Sequence, residues 1–195
     1  MLAMYLEPLP TSLYRGPRVK YSQSDIETIL RDVSSALVYL KTIPIVHNDI
    51  KPRNITYSPR RGAVLIDFGL ATTYNEVNAG GTPWYVPPDL LITSSRGSPG
   101  DVWALGITML YLLGKITYPE KDPKQPGWAI LNLRHNEENQ NQMKRWLQHI
   151  SSARAELSPV NRGTGISKLE SIVFNMVEVD RELRFNAEEI VSALE

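Results

Sequence analysis

Apolar residues recur at Ile26, Ile29, Leu30, Val33, Leu37 and Leu40, a three-and-four spacing that lays one continuous stripe along a helix. Ser22 or Ser24 is placed to cap its start, and Pro44 stops it because proline lacks the amide proton a helix needs. Ahead of this helix, Leu2 to Leu6 form a short apolar run that ends at Pro8 and Pro10, the pattern of a buried strand entering a turn. Behind it, a polar cluster at 47–54 lies between Ile43-Pro44-Ile45-Val46 and Ile55-Thr56-Tyr57. Arg60-Arg61-Gly62 reads as a hairpin turn leading into the aliphatic strand Ala63-Val64-Leu65-Ile66. From Asp67 to Asp89 no period holds, and a structureless stretch of that length inside a compact domain usually carries function.

The second half is more helical. Asp101 to Leu113 is almost unbroken in its apolar character, which predicts a helix buried on every side, with Gly114 closing its end. Helices are expected at 141–154, 167–179 and 186–194, the last capped by Asn186 with Glu189 at its third position. The polar, proline- and glycine-bearing stretch 118–140 reads as an insertion or long loop, and Trp84, Trp103 and Trp128 read as packing residues.

Composition narrows the class without naming it. The 195 residues are 42% hydrophobic and 22% charged, enough apolar material for one core. Lys plus Arg and Asp plus Glu balance at 21 each, so no global field draws the chain to nucleic acid or anionic lipid. The absence of cysteine excludes disulfides, thiolate zinc sites and a cysteine nucleophile, and fits an intracellular protein, cytoplasmic or nuclear. No apolar run reaches the roughly 18 residues of a membrane span.

Three motifs fall in a fixed order. His47-Asn48-Asp49-Ile50-Lys51-Pro52-Arg53-Asn54 comes first, Asp67-Phe68-Gly69 closes a strand, and Gly81-Thr82-Pro83-Trp84-Tyr85-Val86-Pro87-Pro88-Asp89 precedes the buried helix. In this order the set resembles the catalytic lobe of eukaryotic-type serine/threonine protein kinases. The resemblance covers nearly the whole chain and implies a mainly α fold, a helical bundle with a small β-hairpin carrying the catalytic and D-F-G loops.

It also implies roles. Asp49 would orient the attacking hydroxyl and accept its proton, and Lys51 would offset charge gathering on the transferred phosphoryl group. Asn54 and Asp67 would hold Mg2+, a hard cation suited to their oxygens, with ATP as the phosphoryl donor. Thr82 would steady the catalytic loop and mark a serine/threonine acceptor. Leu6 and Thr56 would border the adenine, within a scheme of hinge segment 1–7, activation segment 67–89 and insertion 118–140. His47, Phe68, Gly69 and Asp101 are structural in this scheme, with Asp101 accepting backbone hydrogen bonds from the catalytic loop. Asp89 would pair with Arg184, although glutamate is usual there and the arm is one methylene shorter, which leaves that pair open.

Departures complete the picture. Asn48 stands where the family carries the arginine that grips a phosphorylated activation loop, and Thr56 stands where an aliphatic floor is usual. The chain is expected to begin at the hinge, without the glycine-rich loop, the third-strand lysine or its glutamate partner. Gly163-Thr164-Gly165 is followed by Ile166-Ser167-Lys168 and does not restore the loop. Two readings stay open. One is a serine/threonine kinase-like domain acting on protein substrates and inactive as an isolated lobe. The other is a pseudokinase serving as a scaffold or binding module, with self-association through the exposed cleft. A small-molecule phosphotransferase is disfavoured by Thr82 and Pro87-Pro88-Asp89, which mark a peptide-binding loop.

Overall fold

A computed structural model of the chain describes residues 10–14, 20–74, 80–93, 96–131, 133–158 and 165–195. The segment 1–7 that was read as a hinge, and with it Leu6, lies outside these residues.

Helix α1 spans Gln23–Thr42. Ser22 caps it reciprocally with Asp25: the Asp25 amide donates to Ser22 Oγ (3.1 Å), and the Ser22 amide donates to Asp25 Oδ2 (3.0 Å). All six apolar positions of the predicted stripe are buried. Strand β1 (Ile45–Val46) follows, then the catalytic-loop candidates, then a hairpin of β2 (Ile55–Ser58) and β3 (Gly62–Leu65). Its antiparallel register places Ile55 opposite Leu65 and Ser58 opposite Gly62. Helix α1 holds this hairpin from below. The Tyr57 hydroxyl donates to Asp25, and the Ala63 amide donates to Asp32 Oδ2 at 2.8 Å. Strand β4 (Thr72–Thr73) returns to pair with β1, so the stretch after Asp67 is laid beside the strand that enters the first motif.

Helix α2 spans Gly97–Leu112, four residues ahead of the expected Asp101 start, and Gly100 to Leu110 are buried throughout. It ends in a Schellman pair, with Gly114 N–H donating to Tyr111 O and Lys115 N–H to Leu110 O. Helix α3 (Glu137–Ala155) also starts four residues before its expected position. Asn136 is the effective cap there, and Glu137 and Glu138 fill the first turn where the helix dipole favours acids. Helix α4 (Lys168–Met176) is capped by Ser167 and Glu170, and α5 (Ala187–Leu194) by Asn186 and Glu189. One core joins all five helices, α1 to α5, with Trp103 of α2 and Trp146 of α3 among its fully buried side chains.

The expected loop 118–140 ends sooner than its composition implies, because 137–140 form the first turn of α3. Among the described residues, what precedes that turn carries only short helical turns at Pro119–Lys121 and Leu133–His135, yet it is fastened down. Tyr118, Trp128 and Leu133 are buried, and Trp84 Nε1–H donates to Gln125 O at 2.9 Å.

Candidate active site

The 47–54 loop hangs from the start of α2. Asp101, buried in that helix, accepts the His47 amide on Oδ2 (2.7 Å) and the Asn48 amide on Oδ1 (2.9 Å). Burial pushes its carboxyl up to about 6, against the pull of those two amides and of Arg96. His47 is neutral in this setting. Its Nε2–H donates to Ile66 O (3.1 Å) while Nδ1 accepts the Asp49 amide (3.3 Å), and burial holds its pKa below the ordinary value.

Asn48 takes a left-handed backbone, φ 67°, a region asparagine tolerates better than most residues. Its amide nitrogen reaches the stretch after Asp67, donating to Leu70 O (3.1 Å) and Thr72 Oγ1 (2.8 Å). On its other side, Arg96 donates through Nη1 to Asn48 O (2.8 Å) and through Nη2 to Gly80 O. Gly81 follows at φ 117°, and a Cβ there would sit 2.7 Å from Arg96 Nη1. Any larger residue would strain this backbone and push the guanidinium aside.

Asp49 is 8% exposed and sits in a closed set of hydrogen bonds. Thr82 Oγ1–H donates to Asp49 Oδ1 (2.7 Å), and Lys51 Nζ donates to both Thr82 Oγ1 (2.7 Å) and Asp49 Oδ2 (2.7 Å). Asn54 Nδ2 bonds Asp49 O (2.8 Å) and Oδ2 (3.0 Å). With two donors on Oδ2 and one on Oδ1, the remaining acceptor site of this carboxylate lies on Oδ1, beside Thr82.

Asn54 and Asp67 stand at one end of the hairpin, since Asn54 immediately precedes β2 and the Ile66 amide bonds Asn54 O at 2.9 Å. Asn54 spends its amide N–H groups on Asp49, which directs its Oδ1 away from that carboxylate. Asp67 is exposed and left-handed at φ 65°, accepting only the Gly69 amide (3.3 Å) among the described residues. One carboxylate and one amide oxygen suit Mg2+, which is commonly held by few protein ligands plus substrate phosphates. The described residues contain no group of three or more His, Cys, Asp or Glu side chains able to hold a metal by themselves. Phe68 is 47% exposed and rests edge-on against His47, with ring centroids 4.7 Å apart. Thr56 is buried in β2, its hydroxyl turned to Val64 O (3.4 Å) and its backbone bridged to Ser12.

The Asp89–Arg184 pair forms despite the short arm. Arg184 gives Nη1 to Asp89 Oδ2 (3.0 Å) and Nη2 to Asp89 Oδ1 (3.3 Å). Its remaining donors go to the carbonyls of Glu178, Pro99 and Val179, so all five N–H groups are used. The turn at Pro83–Tyr85 is fixed by Trp146 Nε1–H, which donates to Trp84 O at 2.8 Å.

Sequence reasoning passed over Arg96 and Arg53. Arg96 looks like a solvated loop residue in Ser94-Ser95-Arg96-Gly97, and only its contacts with Asn48 and Gly80 reveal it. Arg53 could have been noticed as the single cation between Pro52 and Asn54.

Comparison with known proteins agrees with the motif order. The protein kinase domain model matches residues 2–194. The calcium/calmodulin-dependent protein kinase type I of Schizosaccharomyces pombe is 33% identical over 114 residues, covering 54% of this chain and 34% of that protein. The CaM kinase-like vesicle-associated protein of Danio rerio is 28% identical over 179 residues, 88% of this chain and 38% of that protein. Serine/threonine-protein kinase DCLK1 of Rattus norvegicus is 37% identical over 100 residues, 48% of this chain and 23% of that protein. The chain belongs to the protein kinase family, on the serine/threonine side, with the mainly α fold that membership implies. The matched region accounts for about a quarter to two fifths of these relatives. Among the described residues no helix is long and apolar enough to cross a membrane.

Proposed function

We propose that residues 47–89 form the acceptor half of a serine/threonine protein kinase site within a C-lobe-like unit. Asp49 orients the serine or threonine hydroxyl of a protein substrate and takes its proton on Oδ1. Lys51 lies beside the transferred phosphoryl group, and Thr82 locks both side chains in register. Asn54 and Asp67 hold Mg2+, which when bound neutralises charge on the phosphates of ATP. The observation that carries this reading is the Lys51–Thr82–Asp49 set, in which three unlike side chains converge within 2.7 Å contacts. A merely structural loop has no need of a lysine drawn onto its aspartate.

These 195 residues contain no G-x-G-x-x-G stretch. Among the described residues the lysine–glutamate pairs are Lys41–Glu188 and Lys115–Glu170, neither of which involves the 47–89 stretch as the phosphate-positioning pair of this family would require. By themselves they therefore bind Mg-ATP weakly and turn over little. Calorimetry with Mg-ATP tests this directly: affinity weaker than micromolar is expected, and micromolar binding by the isolated chain would overturn it. In protein that does transfer phosphate, Asp49→Asn and Asp67→Asn each abolish transfer. Retention of activity by either removes the catalytic assignment.

A second reading is favoured by the exposure of Phe68 and Leu70 on the same edge. In it the unit is a pseudokinase scaffold that docks a partner or a second copy across this edge. Immunoblotting with an antibody to 118–140 separates the two. An endogenous band well above 22.0 kDa supports the kinase, and a band at 22.0 kDa supports the scaffold.

A further inference from the structure

Pro52 and Asn54 are buried while Arg53 between them is turned outward, with its side chain 49% exposed. The short helical turn Pro52–Asn54 thus splits the loop: Asn54 faces Asp49, and Arg53 faces the surface alongside. There its Nε–H donates to the Tyr118 hydroxyl (3.0 Å), which in turn donates to Glu120 Oε1 (2.6 Å). The guanidinium lies 4.7 Å from the Tyr14 ring centroid, and Lys121 Nζ lies 5.3 Å from the same centroid. Tyr14 is stacked on Tyr118 at 4.0 Å.

Two features make this a recognition surface rather than a satisfied ion pair. Only Nε of Arg53 has an acceptor among the described residues, leaving the four N–H groups of its planar fork unused. Glu120 is the single carboxylate in reach, at 3.7 Å, and no carboxylate pairs with Lys121 among the described residues, so the notch carries net positive charge. The buried Tyr85 hydroxyl, within electrostatic reach of Tyr118 and Glu120, has no hydrogen-bond partner among the described residues.

The geometry points to Arg53, supported by Lys121 and the Tyr14–Tyr118 platform, as the site that reads an anionic side chain flanking the acceptor serine or threonine. This rests on the reading of Asp49 as the acceptor-side residue, because Arg53 earns that role only by sharing Asp49's loop. A substrate carboxylate or phosphate would occupy the Arg53 fork in the bidentate manner guanidinium favours. A lysine or arginine at the same place would meet two like charges.

The test is fluorescence anisotropy on the 195-residue chain without nucleotide. Labelled peptides carry one serine flanked by glutamates, by phosphoserine or by lysines. Both anionic peptides are expected to bind about tenfold tighter than the lysine peptide, the scale of one charge-assisted contact. Their order shows whether carboxylate or phosphate is preferred. Arg53→Ala removes the difference and Arg53→Glu reverses it, with circular dichroism unchanged, while Lys121→Ala reduces it. Equal binding, lysine preference, or no binding by any of the three overturns the inference. Because the readout is binding, loss of phosphoryl transfer in a separate assay would sink the catalytic reading without imitating any of these outcomes.

Discussion

Arg96 and Asn48 meet backbone to side chain: the buried guanidinium donates to the Asn48 carbonyl at 2.8 Å, from 48 residues away in the chain. Asparagine stands at 48 where the family carries arginine, yet a guanidinium reaches the same loop from the start of α2. It ties that loop to Gly80 and lies near Asp101. Arg96→Met leaves two carbonyls without that donor and Asp101 without its cation. A loss of about 3 kcal/mol is expected in denaturant unfolding. Arg96→Lys recovers only part of this, because an ammonium lacks the planar fork. Full stability in Arg96→Met would show the clamp to be idle.

His47 sets a pH limit on the 47–54 loop. Its folded-state pKa lies below 6.5, so the unfolded chain takes up a proton that the folded chain resists. The stabilising contribution is complete above about 6.5 and is lost as pH falls from there toward the folded value. Protonation would also turn Nδ1, which accepts the Asp49 amide, into a donor facing a donor. The NMR titration of the His47 ring should show a midpoint below 6.5. A midpoint above it would contradict the neutral tautomer.

Removal of one partner from the Asp89–Arg184 pair strands a buried charge. Arg184→Met is expected to cost about 3–5 kcal/mol, and the double change with Asp89→Asn less than the sum of the two single changes. The double-mutant cycle in urea measures the coupling directly. Strict additivity would mean that the carbonyls of Glu178, Pro99 and Val179, not Asp89, hold the guanidinium.

Gly106 on α2 packs against the C-terminal end of α4. A Cβ there would lie 2.7 Å from Val177 Cγ1 and 3.1 Å from Met176 Cβ. Alanine is the better helix former by about 1 kcal/mol, yet overpacking costs about 1–3 kcal/mol. Gly106→Ala should therefore lower the thermal midpoint. A rise would show that the packed turn relaxes freely.

Much of this was legible in the residues because the determinants are local. The α1 stripe, the capping pair at Asn186–Glu189 and the hairpin turn at Gly62 each depend on neighbours a few positions apart. The early starts of α2 and α3 were missed because their first turns are polar and supply no apolar period. In the candidate site, the three motifs announced Asp49, Asn54, Asp67 and Thr82 as a group. The bonds of Arg96 and Arg53 were invisible, since each depends on a partner brought in by the fold rather than by spacing. The anchoring of 118–140 escaped notice for the same reason: Trp84 finds Gln125 across 41 positions.

The attachment of the hairpin to α1 has a bearing on the order of assembly. Asp25 meets Tyr57 and Asp32 meets Ala63 across 32 and 31 positions, whereas Lys41 waits for Glu188, 147 positions later. Closing the shorter loops costs less chain entropy, so α1 and its hairpin can dock while the rest of the polypeptide is still emerging from the ribosome. Pulsed hydrogen exchange should find the amides of α1 and β3 protected before those of α5. The 47–54 loop, strung between these two early pieces but hung from Asp101, would then take its final shape only when α2 arrives.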